Sequence, residues 1–208
     1  SFTITKLAWL VEHEPELAAR TARLMLPHDY LTFRLTGRHT TDVGDASGTG
    51  WFDPERREIS PETFDWAGVD RAWTDRLGAV SDSYEPVGTL LPDAAEALGL
   101  DPEVIVAPGT GDNMAAALGL GLRTGDSVMS LGTSGAIYAV SPIATRDPSG
   151  AVAGFALDDT RFLPLVCTLN ATKVTDSVAR LLGTDAPGLA SLADAAGRTG
   201  AGGSAGSA

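Results

Sequence analysis

The stretch that most constrains the fold is a short apolar run, Val104-Ile105-Val106-Ala107, broken by Pro108-Gly109-Thr110-Gly111-Asp112-Asn113 and followed by the small apolar residues Met114 to Leu120. A run of that length bounded by turn residues reads as a buried parallel strand. The small side chains after it read as a helix packed tightly on a sheet. Strand, glycine-rich turn and helix in that order belong to an α/β architecture, and alternating strand and helix signals elsewhere point the same way.

Upstream, Leu7, Leu10 and Val11 share one helical face, and Pro15 with Glu16 opens a second stretch in which Leu17, Ala18, Ala22, Leu24 and Met25 fit a helical stripe. Pro27 starts a third helix that Gly37 stops, and residues 39–52 read as strand and loop. Pro92 to Leu98 is a short helix ended by Gly99. Downstream, Ser127 to Leu131 and Ala136 to Val140 flank Gly132-Thr133-Ser134-Gly135 as a hairpin. Ala151 to Ala156 and Phe162 to Thr168 continue the strand pattern, with Cys167 expected as a buried thiol. Thr172 to Leu182 then has helical spacing, capped by Gly183.

Composition divides the chain and limits its partners. Residues 1–108 carry 19 acids, 9 bases and all four Trp, whereas residues 109–208 carry 8 acids, 6 bases and 16 of the 24 Gly. Two differently built units with a change near residues 109–125 follow from that shift. A net charge of −12 argues against nucleic acid or an anionic membrane as the main partner. No apolar run reaches the roughly 18 residues of a spanning helix, and a single cysteine excludes an internal disulfide framework. The opening residues lack the pattern of a secretion signal, which predicts a cytoplasmic protein.

Three stretches could carry chemistry. Gly109 to Met114 superficially has a dinucleotide fingerprint, but Met114 stands where the third glycine belongs and Asp112 would repel a pyrophosphate. A carboxylate on such a turn can instead act as a general base, bind magnesium through water, or cap the following helix. Gly132 to Gly135 offers backbone N–H groups and two hydroxyls, as an anion-binding turn or an ordinary polar hairpin. A serine-hydrolase reading fails because Gly-x-Ser-x-Gly is not met there and the three histidines lie far upstream. His28 and Asp29 read as capping residues, and Asp42 and Asp45 as turn residues rather than a cation site.

Taken together, the chain resembles the FGGY family of carbohydrate kinases. The likeness rests on residues 1–9, on Leu26-Pro27-His28-Asp29-Tyr30-Leu31 with Leu35-Thr36-Gly37, and on Asp42 to Thr49 with Trp51-Phe52-Asp53. Gly111-Asp112-Asn113 and Ser130 to Gly135 complete it, so five segments match in order over nearly all of residues 1–185. The resemblance implies an actin-like, ribonuclease-H-like α/β fold with sugar and nucleotide in a cleft between two domains. Residues 1–121 would be the end of the first, sugar-binding domain, and 122–208 the start of the second, nucleotide-binding one, with a flexible tail from about 197.

It further implies ATP and Mg2+ as cofactors, Asp112 as the general base, and Asp112 with Asn113 on the sugar. Gly132, Thr133 and Ser134 would hold nucleotide phosphate, Asn170 and Ala171 would lie near the nucleotide, and Asp112 would reach the metal through water. The expected partners are a small-molecule sugar and ATP, and the resemblance allows a homodimer of the intact enzyme. The expected substrate is D-xylulose, with ribulose, gluconate or glycerol as alternatives and a non-catalytic one-lobe binding module as the reading from another class. The family's amino-terminal Asp-x-Gly-Thr motif and its late adenosine-binding glycines have no counterpart in these 208 residues. The chain is therefore expected to be the middle of a kinase, inactive alone.

Overall fold

The computed structural model describes residues 2–200. The chain divides into two compact units, one taking residues up to Ser127 together with Tyr138–Leu165, the other Val128–Ile137 together with residues from Val166 on.

The first unit opens with α1 (Thr3–His13), α2 (Pro15–Arg20) and α3 (Pro27–Thr36). Pro27 stands in the first turn of α3, the Leu26 N–H donates to the Asp29 carboxylate, and Gly37 ends the helix in the left-handed region (φ 73°). The expected helical stripe through Met25 is not formed: α2 stops at Arg20 and Thr21 is extended. Tertiary hydrogen bonds claim that backbone instead, because the Leu24 N–H donates to the Arg76 carbonyl (2.8 Å) and His39 Nε2 donates to the Leu24 carbonyl (3.1 Å).

Next come β1 (Thr40–Asp42), the four-residue helix α4 (Val43–Ala46), β2 (Phe52–Asp53), β3 (Glu58–Ile59) and α5 (Glu62–Trp66). A 3-10 turn (Arg71–Arg76) leads to β4 (Ala79–Ser81), which pairs in parallel with β1 from Thr40↔Ala79 to Asp42↔Ser81. Then follow β5 (Gly88–Thr89), α6 (Pro92–Leu98), β6 (Ile105–Val106) and α7 (Asp112–Gly119). The buried parallel strand expected at residues 104–107 is corrected here. β6 pairs antiparallel with the two residues of β5, and Ile105 is 65% exposed. An apolar run fixes neither the direction nor the burial of a strand, and a two-residue partner builds no covered layer.

The remaining strands are β7 (Ser127–Leu131), β8 (Gly135–Ala139), β9 (Ala153–Ala156) and β10 (Phe162–Thr168), in the order β7-β8-β10-β9. β9 and β10 are antiparallel, from Phe162↔Ala156 to Leu165↔Ala153. β10 buries Phe162, Leu163 and Leu165 but leaves Val166, Cys167 and Thr168 exposed. Cys167 is thus an exposed thiol, contrary to the sequence expectation. The apolar run extends past the part of the strand that its neighbours cover.

The core of the first unit gathers on Phe64, which is fully buried and stacks on Trp51 at 5.8 Å, with Ile4, Leu7, Val43 and Trp73 around it. Buried Ser47 joins α4 to β9: its hydroxyl donates to the Val43 carbonyl (2.6 Å) and accepts from the Ala156 N–H (3.0 Å). Ser47→Ala strands that N–H in the core, so unfolding should become easier by about 1–3 kcal/mol in urea titration. An unchanged midpoint would show that the bond contributes nothing net.

The second unit carries the hairpin turn, α8 (Thr172–Leu181) and α9 (Ala186–Gly200). Gly183, just past α8, has φ 65°, as a C-terminal glycine requires. The part of the expected tail from residue 201 on lies outside the described residues.

Candidate active site

Asp112 is the first residue of α7, preceded by Gly111 in extended conformation. It is exposed, and its Oδ1 accepts from the Asn113 N–H (2.7 Å) and from Asn113 Nδ2 (3.0 Å). No side-chain cap is made at the helix start, and both hydrogen bonds from Asn113 go to Oδ1, so the neighbour orients the side chain. A carboxylate so held can accept a proton from a hydroxyl laid against the turn.

The loop before it lies on a cluster that the sequence did not reveal. Gly109 has φ 83°, and a β-carbon there would meet His28 Cδ2 at 2.9 Å. A β-carbon on Gly44 would fall 2.3 Å from the Thr110 hydroxyl, and one on Gly111 would meet the Met114 methyl at 2.5 Å. The glycines thus make room for protein groups. His28 Nδ1 sits 2.7 Å from Asp45 Oδ2, and Nε2 sits 3.2 Å from Asp29 Oδ1 and 3.5 Å from Asp42 Oδ1.

Asp42 does cap α4, accepting from the Gly44 and Asp45 N–H groups, and Asp29 does cap α3. His28, however, spans to Asp45, seventeen residues away. Only the chain path brings α3 and α4 together, so no local spacing could have announced that pair.

Burial governs the electrostatics here. Asp29 and Asp42 are 5% and 2% exposed. Desolvation raises the Asp29 carboxyl to about 6, against the Leu26 N–H and the His28 charge, which lower it. It raises Asp42 as well, opposed by Thr110 and by the N–H groups it caps. The hydrogen bond to Asp45 is the main reason the His28 imidazole is raised, against its own burial. Among the described residues no group of three or more His, Cys, Asp or Glu is arranged to hold a metal ion.

In the second unit, the turn at Gly132–Ser134 is tied to the start of α8. The Gly132 carbonyl accepts from the Thr172 N–H (3.0 Å) and hydroxyl (2.7 Å), and the Thr133 carbonyl accepts from the Ala171 N–H (3.2 Å). A β-carbon on Gly135 would press on Ala171 Cβ at 3.2 Å, which explains glycine there. Gly132, Thr133, Ser134, Asn170 and Ala171 are therefore gathered in one place, with the Thr133, Ser134 and Asn170 side chains exposed. Two hydroxyls and an amide beside a helix start form a donor set suited to phosphate oxygens.

With this geometry in hand, comparison with known proteins gives the class. Residues 1–119 match the N-terminal domain of the FGGY family of carbohydrate kinases, and the chain belongs to that family. Its sequence is 52% identical over 185 residues to a xylulose kinase of Streptomyces coelicolor and 50% identical over 192 residues to one of Streptomyces rubiginosus. Each alignment covers 89% of this chain and 37% of the relative, so the chain spans little more than a third of their length. The solved xylulose kinase of Bifidobacterium adolescentis superposes with a TM-score of 0.82 at 34% identity, over 94% of this chain and 43% of that one. The fold is accordingly the α/β, actin-like one of these kinases, present in part.

Proposed function

We propose that the protein to which these residues belong is an ATP-dependent kinase that phosphorylates D-xylulose on a primary hydroxyl. The observation that carries this reading is the pairing of Asp112 and Asn113 on an exposed glycine turn in a chain half identical to xylulose kinases. Asp112 takes the proton of the sugar hydroxyl, the freed oxygen attacks the γ-phosphorus, and the bond to the ADP oxygen breaks. Asn113 orients that carboxylate and supplies an amide to the sugar. Gly132, Thr133 and Ser134 hold phosphate, with Asn170 and Ala171 beside them.

Magnesium, when bound, neutralises phosphate charge. A hard cation of that kind keeps several waters, which suits approach to the exposed carboxylate of Asp112 through water. Work on ATP and a free sugar fits a cytoplasmic enzyme, and no helix among the described residues is long and apolar enough to cross a membrane. A domain boundary near residue 121 is supported by the end of the family match at residue 119; the compact units divide the chain differently, with Tyr138–Leu165 returning to the first.

The test is a coupled assay of ADP release by a kinase of full family length carrying this segment. D-xylulose should give the highest kcat/KM among xylulose, ribulose, gluconate and glycerol. A higher value for gluconate or glycerol would replace the substrate, and no turnover with any of them would favour a binding module. In the same enzyme Thr133→Val should raise the KM for ATP more than that for sugar. One hydrogen bond to a charged group is worth about 1.5–3 kcal/mol. If sugar affinity falls and ATP parameters hold, the turn belongs to the sugar.

A further inference from the structure

The Gly109–Gly111 loop lies against groups of α3 and α4. Within the first unit, each of its three residues rests on a different part of the α3–α4 cluster. Gly109 adopts a left-handed conformation directly over the His28 ring, 2.9 Å from where a β-carbon would stand. Thr110 places its hydroxyl in the space Gly44 leaves open. Gly111 lies beside Asp45, where a β-carbon on it would make ordinary contact, 3.6 Å from Asp45 Oδ1 and 3.8 Å from Asp45 Cα. Asp45 therefore does two things at once, lying under Gly111 and gripping His28 at 2.7 Å. Asp42 and Asp29, on the far side of the ring, are fixed by backbone N–H groups and lie 3.5 and 3.2 Å from Nε2 without a hydrogen bond to it, so the ring's one hydrogen bond is the one to Asp45.

From this geometry we infer that His28, clamped by Asp45, is a positioning residue: it sets the path of Gly109–Gly111 and, through that backbone, the place of the Asp112 carboxylate. The inference rests on the reading of Asp112 as the base only for its kinetic consequence. The loop geometry stands by itself. The hydrogen-bond and ion-pair partners of His28 are Asp45, Asp29 and Asp42, and Asp112 is bonded to Asn113 instead. A ring that fixes the backbone three residues before a base acts on where the proton acceptor sits, and misplacement of a reacting group by about 1 Å can cost on the order of a hundred-fold in rate. A ring that only filled space would affect stability and leave turnover of the folded enzyme intact.

The experiment compares His28→Ala, His28→Gln and wild type in two measurements. In this 208-residue chain, amide hydrogen exchange at Gly111, Asp112 and Asn113 should quicken about ten-fold in His28→Ala, with α6 amides unchanged as an internal reference. In a kinase of full family length, the same variant should lower kcat by about ten- to a hundred-fold with the KM for ATP within about two-fold. Glutamine, which can still donate to Asp45, should recover part of both. Loop amides that exchange at the wild-type rate overturn the inference whatever the kinetics do. Loosened amides with undiminished turnover support the positioning of the loop and remove Asp112 from catalysis, which separates the two readings. If His28→Ala does not fold, His28→Gln decides: slower turnover with quickened loop exchange supports the inference, and wild-type behaviour in both overturns it.

Discussion

Asp112→Asn, made in a kinase of full family length with sugar and ATP saturating, is expected to lower turnover about a hundred- to ten-thousand-fold. The amide has the shape of the carboxylate and can still accept from Asn113, so the first turn of α7 should persist. It cannot take a proton from an attacking hydroxyl. Sugar affinity should change far less, because an amide still hydrogen-bonds a hydroxyl. If Asp112 only serves the helix start, the outcome reverses: stability shifts within about 1 kcal/mol and turnover stays near normal. The side chain's bonds reach no further than the adjacent residue, which leaves capping a small term. Turnover, sugar affinity and melting temperature measured on one preparation separate the two accounts. A folded variant with near-normal turnover would end the catalytic reading.

How much of this was legible in the sequence depended on whether the signal was local. Helix ends were, since Pro27 with Asp29, Gly37, Gly99 and Gly183 act through their own dihedrals and nearest N–H groups. The hairpin at Gly132–Ser134 was legible for the same reason. The direction of β6 was not, because pairing with β5 is a choice made by the chain path between them. Nor was the end of α2, where a carbonyl at Arg76 and a ring at His39 claim the backbone at Leu24. At the site, the turn carrying Asp112 could be found by composition and its surroundings could not. His28 and Asp45 each had an adequate local explanation, as helix start and turn. Their 2.7 Å approach is a product of tertiary packing alone.

That packing has a thermodynamic consequence with a definite sign. The chain's unfolding free energy is expected to fall as pH rises from 4.5 to 7. Asp29 has a folded value of about 6, above its ordinary 3.8, so between those values the folded state keeps a proton the unfolded state has released. Stability rises with pH only where the unfolded state binds more protons, so here it must fall. His28 is raised above its ordinary 6.5: the stability it contributes is fully present below that value and lost as pH climbs through the folded value. Asp42, raised by burial, has the same sign as Asp29. Asp158 opposes this, as do Asp147, Asp65 and Glu62, which hydrogen bonds also lower: at Asp158 burial is outweighed by hydrogen bonds from Arg161, Thr160 and Tyr84, which hold it well below the usual range. Its contribution is present above the unfolded carboxylate value and is lost only in stronger acid, mostly below the window chosen. The whole Asp29 shift amounts to about 3 kcal/mol, of which about 2 falls between pH 4.5 and 7, with His28 adding to it. Self-repulsion in a chain of net charge −12 also grows with pH, so the decisive quantity is a difference between variants. Urea unfolding of wild type and Asp29→Asn at both pH values should show a steep fall in the first and a shallower one in the second. Parallel pH profiles, or a wild type that gains stability toward pH 7, would mean that the α3–α4 carboxylates are not held protonated by the fold.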